Sequence, residues 1–156
     1  MPPPRAITSL DNPRVKQVVS LLRHRQRDKQ GLFVAEGVRQ ITRALAAGLP
    51  LVELYECPDL LASAAVGGVF DAIPSSQRLH VTEPVMQKMA YRAEHAEGVL
   101  AVFKQPSWSL DDLELPKSPL ILVAVGLTKP GNLGAIARSL EAAGGHALFV
   151  ADAQVD

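Results

Sequence analysis

The segment with the densest chemical functionality runs Gly126-Leu-Thr-Lys-Pro-Gly-Asn-Leu-Gly-Ala-Ile-Ala-Arg138. Two glycines, Gly131 and Gly134, bracket Asn132. They allow tight backbone at a strand-to-helix junction, where free amides and the helix dipole favour an anion. The Asn132 amide offers a donor and an acceptor together. Arg138 follows six residues later, between one and two helical turns on, and a long side chain there can reach back toward the loop. The pattern is neither the G-x-G-x-x-G of dinucleotide folds nor a P-loop with Gly-Lys-Ser/Thr. On spacing alone a plainer reading stands beside this one: the glycines serve the turn and Arg138 makes a surface salt bridge.

A second concentration of chemistry lies at the other end. The 156 residues carry 16 basic and 16 acidic side chains, and that neutrality hides an asymmetry. Through Ala44 there are nine basic residues and three acidic ones, a net of +6, and the remainder carries −6. Six of the positive charges fall between Arg14 and Lys29, with only Asp28 against them. A basic element on a neutral protein points to a local polyanion contact, and a solvated helix face is the plain alternative. Other reactive residue types are scattered. His24, His80, His95 and His146 show no metal-ligand spacing. Asp111 and Asp112 read as a solvated linker, Cys57 as a core residue at a strand end, and Trp108 as a pin between linker and domain.

The elements that must position these groups alternate between strand and helix. Asn12-Pro13 is an N-cap with proline in the first turn, Val15, Val18, Val19 and Leu22 recur at helical spacing, and Gly31 stops the pattern. Leu32 to Ala35 reads as a buried strand and Gly37 to Ala47 as a helix with Val38, Ile41, Thr42 and Leu45 inward. Leu51 to Cys57 alternates as a strand does. A short helix and small-residue loop follow over Pro58 to Ala72, then a strand over Arg78 to Val81, a helix over Glu83 to Tyr91 and a strand over Gly98 to Phe103. The alternation predicts an α/β layer architecture.

Lys104 to Pro119, with three prolines and an acidic cluster, suits a linker. Beyond it, Leu120 to Val125 is the most apolar run and reads as a strand covered on both faces. A loop over Gly126 to Gly131, a helix over Asn132 to Ala143 and a strand over Ala147 to Ala151 complete a β-α-β unit. The expected division is therefore 1–103, a linker over 104–118, and 119–156. Two strands and one helix cannot enclose a core. The expectation is a fragment, or a sheet completed by a partner subunit.

Composition narrows the class. With 47% apolar residues the chain can bury a core, and 21% charged is ordinary for a soluble protein. One cysteine excludes an intrachain disulfide framework. No apolar run approaches the roughly 20 residues of a membrane span. The start, Met1-Pro2-Pro3-Pro4-Arg5, is unlike a secretory signal. The expected compartment is a reducing cytoplasm.

The stretch Val125 to Arg138, continuing Ser-Leu-Glu-Ala-Ala-Gly144, closely resembles the first signature of the SpoU/TrmH-type RNA 2′-O-ribose methyltransferases. That signature is Asn-x-Gly, an arginine four residues on, and a small or aromatic residue with glycine ending the helix. Ile7-Thr8-Ser9, Asn12-Pro13-Arg14-Val15-Lys16 and Phe33-Val34-Ala35-Glu36-Gly37-Val38-Arg39 are similar to the family's N-terminal RNA-binding domain. The likeness runs from about Ile7 to Ala151.

The resemblance implies a small α/β RNA-binding domain followed by the first β-α-β unit of a Rossmann-like methyltransferase domain, which in the family ends in a trefoil knot and dimerises. It implies S-adenosylmethionine as cofactor, rRNA or tRNA as substrate, and no metal. The family's second and third signatures, a Gly-Asn-Glu-type turn and a Leu-Asn-x-Ser helix that bind the cofactor, are absent from this sequence. Asn132 and Arg138 are carried over to the reaction centre, where a ribose 2′-hydroxyl attacks the sulfonium methyl. The family's usual assignment makes the arginine a proton acceptor, but a neutral guanidinium is costly. A cationic Arg138 that holds a neighbouring phosphate and lowers the hydroxyl pKa fits the chemistry better, with the proton leaving through phosphate or water. Asn132 then holds the ribose or orients Arg138. Arg14, Arg23, Arg25, Arg27 and Lys29 become phosphate contacts, Arg39 a contact to a folded loop, and Tyr91-Arg92 a stacking and phosphate pair. A non-catalytic RNA-binding module is the alternative.

Overall fold

The computed structural model describes residues 6–61, 68, 70–107 and 109–154. Arg5, Trp108 and, of the helix and loop expected over 58–72, residues 62–67 and 69 lie outside them. The chain divides into two compact units, 1–106 and 107–156.

The first unit is built on a four-stranded sheet of β1 (Leu32–Glu36), β2 (Leu51–Glu56), β3 (Arg78–His80) and β4 (Val99–Lys104), in the order β1-β4-β2-β3. β4 runs antiparallel to both its neighbours, and β2 and β3 are parallel. Helices cover both faces, as an α/β layer requires. On one face α1 (Pro13–Leu21) and α4 (Glu83–Met89) press Val15, Val18, Leu21, Val85, Met86 and Met89 against Val34, Tyr55, Leu100 and Val102. On the other face α3 (Val38–Ala46) sets Ile41 and Ala44 against Leu54, Val99, Ala101 and Phe103. The strand period of two sorts neighbouring residues to opposite faces, so Leu54 and Tyr55 serve different clusters. Cys57 is buried in the first of these, as a core residue.

The helical pattern expected to run unbroken to Gly31 is two helices, α1 and α2 (His24–Gln30). The backbone turns extended at Arg23, with φ −104° and ψ 128°. The apolar repeat stops at Leu22, so nothing on α2 is buried and no core contact holds one continuous axis. Arg27 Nη1 donates to the Leu21 carbonyl at 3.0 Å, satisfying an acceptor at the end of α1. β1 also departs from expectation. It is an edge strand, and only Val34 of its five residues is buried.

Glu56 is the buried charged residue of the sheet, 5% exposed. Arg78 meets it two-pronged, Nε and Nη2 each donating at 2.9 Å. The carboxylate in turn raises the Arg78 pKa.

In the second unit β5 (Ile121–Val125) and β6 (Ala147–Ala151) are parallel and joined through α5 (Pro130–Ala142). The coverage of β5 on both faces that its composition predicts is not found. Only Ala124 is buried, while Val123 and Val125 are 62% and 65% exposed, because among the described residues this sheet has two strands and one helix. Ahead of it, Ser109 and Asp112 close a capping box around the short turn Leu110–Asp112. Asp112 therefore holds local backbone, and both aspartates of the cluster are exposed.

Gly98 opens β4 with φ +75°, and a Cβ there would lie 2.6 Å from Leu61 N and 2.8 Å from Leu60 C. Those are backbone atoms, which cannot swing aside. Gly48 has φ +73° with nothing within 4 Å. Gly48→Ala should cost about 1 kcal/mol, the left-handed penalty alone. Gly98→Ala should cost about 3 kcal/mol or more, since the clash adds to that penalty. Urea denaturation of both variants separates the two terms.

Candidate functional site

α5 begins at Pro130, two residues before the position expected from sequence, so Asn132 sits in its first turn and not in a loop. The Asn132 backbone amide donates to Lys129 O at 3.0 Å and is already used. Neither Gly131 nor Gly134 has a positive φ, so neither is needed for a left-handed turn. Gly134 has a different use. A Cβ there would meet Arg138 Nη1 at 3.3 Å, so the guanidinium lies back over Gly134, one turn toward the helix N-terminus. Side chains on a helix lean that way in general. Arg138 is exposed and forms no ion pair with any described residue. Asn132 is exposed and shares no hydrogen bond with Arg138; the two positions are roughly 120° apart about the helix axis. What α5 presents is a helix N-terminus with an unneutralised guanidinium folded back toward it, an arrangement suited to an anion.

The basic N-terminal residues separate into two groups. Arg14 Nε pairs with Glu53 Oε1 at 3.0 Å. The same Glu53 accepts from the buried Tyr55 hydroxyl, whose pKa is pushed well up by burial and by that carboxylate. Lys16 pairs with Asp11 at 2.9 Å and holds its carboxyl below the usual range. Arg27 supports the end of α1. Arg23, Arg25 and Lys29 are exposed and meet no acid among the described residues. The nearby Asp28 is occupied by His24 at 2.9 Å. Arg25 and Lys29 are four residues apart on one helix, hence on one side of α2.

Arg39 is exposed on α3. Arg92 is exposed just after α4, beside Tyr91. The fold brings this last pair over the end of β1: the Tyr91 amide donates to Glu36 Oε2 at 2.9 Å. The Glu97 carboxylate fills the space beside Gly37, where a Cβ would lie 2.5 Å from Oε2. Tyr91-Arg92 and Glu36-Gly37 are legible as separate motifs in the sequence, whereas Glu97 belongs to neither and is missed there. Gly37 has φ +91° and its Cβ position is occupied by Glu97, so both backbone and space call for glycine, and that glycine is the sequence signal nearest to the acid.

A protein-family profile, the MRM3-like substrate binding domain, matches residues 12–101. That span is more than half of the chain. The chain belongs to this family. Its relatives and structural neighbours are methyltransferases of the SpoU/TrmH type, as the signature at Asn132 and Arg138 implies. The chain is 30% identical over 156 residues to the 23S rRNA (uridine(2479)-2′-O)-methyltransferase of Streptomyces viridochromogenes, covering 99% of this chain and 54% of that one. It is 30% identical over 149 residues to the mitochondrial rRNA methyltransferase 3A of Danio rerio, covering 92% and 33%. A crystal structure of an RNA 2′-O ribose methyltransferase superposes with TM-score 0.78 at 39% identity, over 94% of this chain and 55% of that one. The SpoU methyltransferase AviRb from Streptomyces viridochromogenes, in complex with AdoMet, gives TM-score 0.79 at 27% identity over 89% and 52%. The chain thus spans about half the length of the first of these relatives and a third of the second. The substrate-binding-domain match contains α1, α2 and every described residue of the Glu36–Glu97 corner.

If unpaired cations carry the interface, Arg25→Ala/Lys29→Ala should flatten the log-log salt dependence of RNA binding by roughly one to two units. Arg14→Ala/Lys16→Ala removes the same charge from residues already neutralised in place, and should change the slope by less than about half a unit. Equal slopes for the two double variants would sink the assignment. Arg27→Ala belongs with stability instead and should cost about 1–2 kcal/mol.

Proposed function

We propose that this chain is the RNA-recognition part, with the opening of the catalytic part, of an RNA 2′-O-ribose methyltransferase acting on rRNA or tRNA. Residues 1–103 bind the RNA, 104–118 link, and 119–156 begin the methyltransferase domain. The observation that carries the reading is Arg138, exposed, unpaired among the described residues and folded back over Gly134 in α5. It sits within the Asn-x-Gly…Arg signature, in a chain that also carries the substrate-binding domain.

Arg138 acts as a fixed cation. Its guanidinium forks to a phosphate beside the target ribose and stabilises negative charge as the 2′-hydroxyl loses its proton to phosphate or water. Remaining charged is its ordinary state, since the guanidinium pKa exceeds about 12. Asn132, in the first turn and on another side of the helix, holds the ribose through its side-chain amide. Arg23, Arg25, Lys29, Arg39 and Arg92 supply affinity through phosphates, and Arg14 and Arg27 hold the surface that displays them. The AviRb methyltransferase binds AdoMet, and the same cofactor, S-adenosylmethionine, is proposed for the whole protein to which this chain belongs. The cavity of the second unit is lined by Ser109, Leu110, His146 and Phe149 among others, without Asn132 or Arg138. Homodimerisation in a cytoplasmic setting completes the proposal. No described helix is long and apolar enough to cross a membrane.

Mapping ribose 2′-O-methylation across rRNA and tRNA, in cells with and without the gene, tests this directly. One or a few nucleotides should lose methylation in the deletion. Restoring the gene with Arg138→Lys should leave them unmethylated while RNA affinity stays within about tenfold, since an ammonium lacks the planar two-pronged contact. An unchanged map with RNA binding retained would favour a non-catalytic RNA-binding module.

A further inference from the structure

The corner where β1 meets α3 and the turn after α4 encloses a depression of about 620 Å³, within the range of small-molecule sites. Its lining includes Phe33, Glu36, Gln40, Tyr91, Arg92 and Glu97. Resting on the RNA reading above, we infer that this depression receives one unstacked nucleobase of the bound RNA, and that its two carboxylates select guanine.

The argument starts from what is unsatisfied. Tyr91 is 56% exposed, an aromatic ring on the rim with little packed against it. RNA modules use such rings as platforms for splayed bases. Glu36 spends Oε2 on the Tyr91 amide and leaves Oε1 without a partner among the described residues. Glu97 makes no hydrogen bond or ion pair with any described residue, although its carboxylate is set against Gly37. Ionised carboxylates are acceptors only, so the depression calls for donors. Two acids also repel a phosphate, which excludes the RNA backbone from the interior and leaves it the rim. Arg92 stands there, exposed and paired with no described acid. Base inside and phosphate outside is the polarity of an unstacked nucleotide.

Among the bases, guanine presents N1–H and N2–H₂ side by side on its Watson–Crick edge and can donate twice to acidic oxygens. Adenine places an acceptor, N1, beside its single amino group, and an acceptor facing a carboxylate is repelled. The acids therefore discriminate, while Tyr91 supplies affinity for any base. Gly37 is a requirement of the arrangement, since any side chain there would displace Glu97.

Two RNA hairpins test the inference with the 156-residue chain, each with a loop of uridines around one central nucleotide, guanosine in one and adenosine in the other. Fluorescence anisotropy should show the guanosine hairpin binding about five- to tenfold more tightly. Tyr91→Ala should weaken both by about tenfold and Tyr91→Phe should restore them. Glu36→Gln/Glu97→Gln should reduce the guanosine preference to below about twofold without lowering affinity for the adenosine hairpin. None of these side chains is buried in either hydrophobic cluster, and unchanged thermal unfolding verifies that the variants fold. Equal binding of the two hairpins, or no effect of Tyr91→Ala, overturns the pocket. The RNA reading survives that result provided Arg25→Ala/Lys29→Ala still weakens binding. Salt-insensitive or absent binding of both hairpins by the unmodified chain overturns the RNA reading and the pocket together.

Discussion

β4 is the constraint on which the first unit depends. It is the last strand of the unit in sequence, yet it occupies an interior place between β1 and β2. Its residues Val99 to Phe103 are all buried, alternating between the two hydrophobic clusters. At about 1.5–3 kcal/mol for each large apolar side chain taken from water, this strand contributes more than any polar contact in the unit. The Glu56–Arg78 pair on the neighbouring strand is secondary, because a buried ion pair spends most of its attraction on desolvation. Both clusters include residues of β4, so the helices on both faces pack against it.

That insertion also makes the corner between β1 and the turn after α4. The chain reaches β4 through Glu97 and Gly98, and Gly98 must pass within contact distance of the Leu60–Leu61 backbone to enter the sheet. The register Glu36↔Leu100 then fixes the end of β1 against the start of β4. Glu97 falls beside Gly37, and the preceding turn falls over Glu36, where Tyr91 N finds its acceptor. Glu36 is distant in sequence from both Tyr91 and Glu97. Their meeting is a product of strand order.

Strand order is also where the sequence stops being legible. Periodicity marks elements well, and Ile41, Val85, Met86 and Met89 face inward as their spacing requires. It is silent on which strand lies at an edge. Leu32 to Ala35 has the composition of a buried strand and lies on the rim of the sheet, with Phe33 and Ala35 only partly covered. The boundary between α1 and α2 escapes a sequence reading for a related reason. Lys, Arg and Gln have good helix propensity, so nothing local breaks the pattern before Gly31. The break comes from tertiary structure, as the apolar stripe ends at Leu22 and Arg27 turns back onto Leu21. The signature at Asn132 and Arg138 is legible as a motif, but its glycines do not make the turn that their residue type suggests. Proximity of Gly134 to Arg138 cannot be read from a turn propensity, because it depends on the direction in which the arginine leans.

Charge carries the same lesson in a form that bears on function. A count places six cations between Arg14 and Lys29, but a count does not distinguish a cation that holds the protein together from one that is offered to a partner. Glu53 and Asp11 take Arg14 and Lys16, and the carbonyl of Leu21 takes Arg27. Asp28, the one acid inside the cluster, contacts His24, and Arg23, Arg25 and Lys29 make no ion pair with a described acid. Unpaired surface cations repel one another and give little to stability. Their concentration on a helix with no buried residue is therefore a cost to the isolated chain, one that contact with a polyanion would relieve. Arg138 stands in the same condition on α5, exposed, without a described acid beside it and given room by a glycine. In both units the fold leaves exposed cations with no described acid beside them.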